Sequence, residues 1–85
     1  MEIKAEIRRY ILETFLTDGN NIDLNDATPL ITGGLIDSIG MLGLVRFIER
    51  RFGIEFRPKE IDAERLDTID AIMRLIQGKL ESAPR

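Results

Sequence analysis

The sequence predicts an all-α fold, a small four-helix bundle of three longer helices and one short helix with a long first loop. Three observations predict it. Apolar residues recur at steps of three and four in three separate stretches. Turn-forming residues gather between those stretches, at Gly19-Asn20-Asn21, Pro29 with Gly33-Gly34, Gly53 and Pro58. The short alternation Ile54-Glu55-Phe56 spans three residues and has no partner strand nearby, so it reads as an extended link.

The first helix is expected over 2–16. Ile3, Ile7, Ile11 and Phe15 fall at four-residue steps, and Tyr10 fills the same face. Lys4, Glu6, Arg8, Arg9 and Glu13 lie elsewhere on the wheel, while Leu12 and Leu16 offer a second, weaker contact side. Gly19 and the two asparagines after it end the helix, because they tolerate left-handed backbone and make side-chain turns.

A long connection follows, up to about Ile36. It carries Ile22, Leu24, Leu30, Ile31 and Leu35, too many apolar residues for a free linker. The expectation is an ordered loop pinned over the core, the kind of loop that often carries function.

The second helix is expected from about Ser38 to Arg51, with Met41, Val45, Ile48 and Phe52 as its core stripe and Leu42 joining them. Gly53 supplies its stop. Pro58 suits the first position of a short third helix reaching about Ala63. The last helix is expected over Thr68–Leu80, capped by Asp67 or Thr68, with Asp70 in its first turn. Its apolar face is Ile69, Ile72, Met73 and Ile76, with Leu75 and Leu80 adding to it. Residues 81–85 should fray, which leaves one domain over 1–85 with an ordered core of about 2–80.

A chain of 85 residues has room for one thin core and not for a deep catalytic cavity as well. It contains no cysteine and no histidine, so disulfides, zinc ligation and a serine–histidine triad are excluded. The absence of cysteine suits a reducing cytoplasm, and the charged start lacks the pattern of a secretory signal. No apolar run is long enough to span a bilayer. The net charge of −3 argues against duplex binding, which needs a basic face. Asp18, Asp23 and Asp26 suggest calcium, but an EF-hand count from Asp18 puts Asp23 at the glycine position and Pro29 at the glutamate position. They read as turn-formers, and no metal site is expected. Gly33-Gly34 lacks the following lysine of a phosphate loop.

The most informative residue is Ser38, in the run Gly33-Gly34-Leu35-Ile36-Asp37-Ser38-Ile39-Gly40. There a glycine-bearing loop meets the start of a helix. Read alone, Asp37-Ser38 is also an ordinary N-cap sequence. With the long apolar loop before it and an amphipathic helix ending in Phe52-Gly53-Ile54 after it, the chain resembles an acyl or peptidyl carrier protein from Ile3 to about Leu80. The resemblance implies a four-helix bundle of acyl-carrier type that is not itself an enzyme. It implies that Ser38 carries 4′-phosphopantetheine taken from coenzyme A, with Asp37 beside it in the recognition motif. The arm's thiol would hold acyl or aminoacyl groups as thioesters, so the lack of cysteine in the chain is no obstacle. The partners implied are a phosphopantetheinyl transferase, a loading ligase and a downstream synthase or transferase, met by a monomeric, cytoplasmic carrier. Capping and modification are compatible, with Asp37 as the cap and Ser38 as the tether.

One departure stands out. Typical bacterial fatty-acid carriers of the family this chain resembles have an acidic second helix, commonly with Asp two residues and Glu five residues after the serine. Here those positions are Gly40 and Gly43, followed by Arg46, Arg50 and Arg51, with Glu49 as the only acid before Gly53. Ile39, Gly43, Arg46 and Arg50 share a face opposite the core stripe. The partner-binding face implied is therefore Ile39, Gly40, Gly43, Arg46 and Arg50, and it would repel the basic patches an acidic helix attracts. Gly40 and Gly43 are either tolerated substitutions or a path for close approach of a partner backbone. The alternative to a carrier is a helical adaptor of the same fold that works by binding and leaves the serine unused.

Overall fold

The computed structural model describes residues 2–16 and 24–82. Three α-helices, α1 (Ile3–Phe15), α2 (Ser38–Phe52) and α3 (Ile69–Ser82), enclose one apolar core, and no strand occurs among the described residues. Each helix buries part of the stripe its spacing predicts, with Ile3 and Phe15 of α1 and Met73 of α3 only partly buried. Ile7 and Ile11 come from α1, Leu44, Val45, Ile48 and Phe52 from α2, and Ile69, Ile72 and Ile76 from α3. α1 packs directly on α3. Of the α2 residues expected in the core, Met41 is only partly buried and Leu42 is half exposed, while Leu44, not expected there, is fully buried.

The caps explain where the helices start and stop. Asp37 caps α2, its carboxylate accepting the Gly40 N–H at 2.7 Å. Gly53 closes α2 in the left-handed region (φ 68°), donating its N–H to the Glu49 carbonyl at 2.9 Å. Thr68 is the cap at the start of α3, its hydroxyl accepting the Ala71 N–H at 3.0 Å. Asp67, the other residue expected to cap α3, is used elsewhere.

The short helix expected over Pro58–Ala63 is a single 3-10 turn, Pro58–Glu60. Glu60 accepts the Arg57 N–H at 2.7 Å and pairs with Lys79 of α3 at 2.6 Å. The Lys79 hydrogen bond, with that from the Arg57 backbone, holds the Glu60 carboxyl below its ordinary pKa. The helix goes no further because Asp62 offers its side chain to the Arg65 N–H at 2.7 Å, opening a new turn in place of helical propagation. That turn delivers Leu66, absent from the expected core, to full burial. The link before it is extended as expected, with Ile54 and Phe56 buried and Glu55 exposed.

The loop ahead of α2 is pinned over the core through Leu24, Leu30 and Ile36, all buried. Ile22 and the Asp18 and Asp23 of the calcium reading lie outside the described residues. Asp26 has a longer-range task than turn formation. Its carboxylate pairs with Lys4 at 3.0 Å and with Arg8, and its carbonyl accepts the Asp70 N–H at 3.1 Å. Lys4 also reaches Asp70 at 3.2 Å. The hydrogen bonds to Asp26 and then Asp70 raise the Lys4 pKa above its usual value. Among the described residues, no helix is long and apolar enough to cross a membrane.

Candidate functional site

Ser38 is the first residue of α2 and is exposed. Both sides of the junction hold it there. Upstream, buried Ile36 donates its N–H to the Leu30 carbonyl at 2.9 Å, which fixes the loop's exit. Downstream, the Asp37 carbonyl accepts the Met41 N–H at 2.8 Å, and its carboxylate takes the Gly40 N–H. The first turn is therefore formed and capped without the serine. The Ser38 hydroxyl and the N–H groups of Ser38 and Ile39 make no hydrogen bond among the described residues. A helix start leaves such donors open by geometry and gives them a partial positive field.

The loop bearing this junction is fastened by one carboxylate. Asp67 accepts the Ile31 N–H at 2.8 Å and the Thr32 N–H at 2.9 Å on one oxygen, and the Thr32 hydroxyl at 2.7 Å on the other. Its carbonyl accepts the Leu30 N–H at 2.6 Å. Burial pushes the Asp67 carboxyl up, but the hydrogen bonds from Thr32 and Ile31 outweigh it and leave the group below its ordinary pKa. Sequence reading gave Asp67 only a capping role. Nothing in its immediate neighbours signals a bond to residues 35 and 36 positions away.

The structure sorts the five residues of the expected partner face. Ile39 is the most exposed large apolar side chain, at 80%. Arg46 and Arg50 are exposed on the same side of α2 and make no ion pair among the described residues. Gly43 lies between Ile39 and the arginines, and a Cβ there would meet only the Tyr10 hydroxyl, at 3.5 Å. Gly40 is turned toward α1 instead. A Cβ there would sit 2.7 Å from Phe15 Cε1, 3.0 Å from Ile36 Cγ2 and 3.2 Å from Asp37 Oδ1. Gly40 thus has a reason within the fold, the close approach of Phe15.

Three further residues, Leu42, Tyr10 and Phe47, belong to this surface. Leu42 is 50% exposed beside Ile39. Tyr10 stacks on Phe47 with ring centroids 4.2 Å apart and planes 11° from parallel. With Gly43, Arg46, Arg50 and Arg51 these two rings line an open groove of about 690 Å³ between α1 and α2. Arg51 is paired with Glu6 of α1. Glu49, the only acid of α2, accepts the Phe56 N–H at 2.8 Å, so its carboxylate is engaged away from the arginines.

No protein-family model matches the chain, and no curated protein matches it significantly.

Proposed function

We propose that the chain is a carrier protein that holds acyl or aminoacyl groups as thioesters on a 4′-phosphopantetheine arm joined to Ser38. The observation that carries this reading is the junction itself: an exposed serine hydroxyl at the first position of α2, left free because Asp37 has taken over the cap. The residues present fit such a group. An enzyme can reach the hydroxyl, and a phosphate on it would find the open N–H groups of Ser38 and Ile39. Phosphate at a helix start is favoured by those donors and by the helix field, by ~0.3–1 kcal/mol at an exposed site. Gly40 N–H is not available to it, since the Asp37 carboxylate already accepts that bond. The arm supplies the thiol that the cysteine-free chain lacks.

On this reading the protein's own residues do three things. Asp67 and Ile36 hold the loop, Asp37 presents the serine, and the outer face of α2 meets the enzymes that attach the arm and load it. A phosphopantetheinyl transferase, a loading ligase and a downstream synthase or transferase are the partners, and the carrier performs no reaction of its own.

The exposure of Ile39 and Leu42 also supports a second reading, an adaptor of this fold that binds partners and leaves Ser38 unmodified. Intact mass of the protein purified from its native host separates the two. The carrier reading expects a population heavier by one phosphopantetheine, with the added mass on the peptide containing Ser38. A wholly unmodified population in cells that phosphopantetheinylate other proteins favours the adaptor.

A further inference from the structure

The outer face of α2 combines an apolar end with a basic end. Ile39 and Leu42 are exposed beside Ser38. Arg46 and Arg50 follow one and two further turns along, the whole stripe spanning about 16 Å at ~1.5 Å per residue. Six other cations among the described residues are held in ion pairs: Lys4 and Arg8 with Asp26, Arg51 with Glu6, Arg65 with Asp62, Arg74 with Asp70 and Lys79 with Glu60. Arg9, Arg57 and Lys59 make no ion pair among the described residues, but they lie off α2. Arg46 and Arg50 make none either, and the one acid on their helix faces Phe56. In a chain of net charge −3, this is a local positive surface left uncompensated by the fold. Beside it the Tyr10 hydroxyl, also without a hydrogen-bond partner among the described residues, borders the groove at Gly43.

Gly43 sharpens the point. The fold does not need glycine there, because an added Cβ would make only an ordinary contact. Glycine within a helix costs ~1 kcal/mol relative to alanine. What its missing side chain leaves is the open floor of the groove between the apolar and basic ends.

We infer that this face docks an acidic segment of a partner protein, one that sets an apolar side chain on Ile39 and Leu42 and carboxylates on Arg46, Arg50 and the Tyr10 hydroxyl. Charge complementarity selects the occupant. Two arginines on an acidic chain are too few for the counterion-releasing contact that nucleic acid demands. They suit one or two carboxylates, and the adjoining apolar patch suits a protein side chain. The inference deepens the reading above, in which α2 meets partner enzymes, by fixing the sign of the partner's charge.

The test uses the unmodified chain, so its failure is separate from any failure of Ser38 to accept an arm. The probe is a helical peptide with leucines along one face and glutamates flanking them, compared with the same peptide carrying lysines. Backbone amide shifts of the isotope-labelled protein are followed during titration. The expected result is saturable shifts confined to residues 39–51 and the neighbourhood of Tyr10 for the glutamate peptide, with none for the lysine peptide. Arg46→Glu with Arg50→Glu should weaken the glutamate peptide about tenfold, the effect of losing two exposed ion pairs and adding repulsion. That variant should gain binding of the lysine peptide. Arg46→Lys with Arg50→Lys should keep most of the affinity. Equal binding of both peptides, no binding of either, or shifts on another face overturns the inference. An unchanged amide spectrum outside α2 confirms that each variant is folded.

Discussion

Replacing Gly40 and Gly43 by alanine, one at a time, should move stability in different directions. Both residues lie within α2, and both replacements gain helix propensity, up to ~1 kcal/mol and less at Gly40 because it lies in the first turn. At Gly43 little else changes, since the new Cβ meets only the Tyr10 hydroxyl at 3.5 Å. Gly43→Ala should therefore stabilise the protein by about 1 kcal/mol. At Gly40 the new Cβ falls 2.7 Å from Phe15 Cε1 and 3.0 Å from Ile36 Cγ2. Phe15 is a partly buried ring that can give way, but Ile36 is 1% exposed and anchors the loop. Overpacking of this kind costs ~1–3 kcal/mol. Crowding of the Asp37 carboxylate at 3.2 Å also threatens the cap. The Gly43→Ala protein should thus exceed the Gly40→Ala protein by about 1–3 kcal/mol. At ~4–8 °C per kcal/mol for a domain of this size, the gap in Tm is at least several degrees. Thermal and urea unfolding followed by circular dichroism measure it. Equal stability of the two variants would refute the packing argument at Gly40.

Asp67 should make the loop acid-sensitive. Its folded pKa is lowered, so its stabilising contribution is complete above the ordinary carboxylate value of about 3.9 and is lost as pH falls through the lowered folded value. Amide exchange at Ile31 and Thr32, corrected for intrinsic rates, should be constant from neutral pH to just above that value and accelerate below it. Protection that is insensitive to acid would contradict the clasp. Asp37→Ala should remove the bond to the Gly40 N–H and cost about 1 kcal/mol, as N-cap deletions do. Unfolding in urea with an unchanged midpoint would show that the cap contributes nothing.

The helices were legible because their periodicity is strong, yet periodicity left open which shoulder of each stripe is buried. On α2 the stripe Met41-Val45-Ile48-Phe52 has Leu42 on one side and Leu44 on the other. At ~100° per residue they stand about 90° and 70° from its centre, and the wheel alone barely separates them. The placement of α1 and α3 decides it, burying Leu44 and leaving Leu42 half exposed beside Ile39. Tyr10 joined the site for the same reason, since its partner Phe47 comes from another helix. Asp26 and Asp67 were invisible as fasteners because their bonds reach across the chain, to Lys4 and Arg8 in one case and to Ile31 and Thr32 in the other. The Ser38 junction, by contrast, is built from adjacent residues, so its local chemistry is written in sequence order. The expected third helix shortened because Asp62 competes for the backbone, a local effect that the Pro58 start signal does not reveal.

The most direct test of the carrier reading is intact mass after incubation with coenzyme A, magnesium and a broad-range phosphopantetheinyl transferase. A carrier should gain the mass of one phosphopantetheine on the wild-type chain, located on Ser38, and a folded Ser38→Ala variant should gain none. No gain on the wild type while a control carrier is modified in the same tube, or an equal gain on Ser38→Ala, would contradict it.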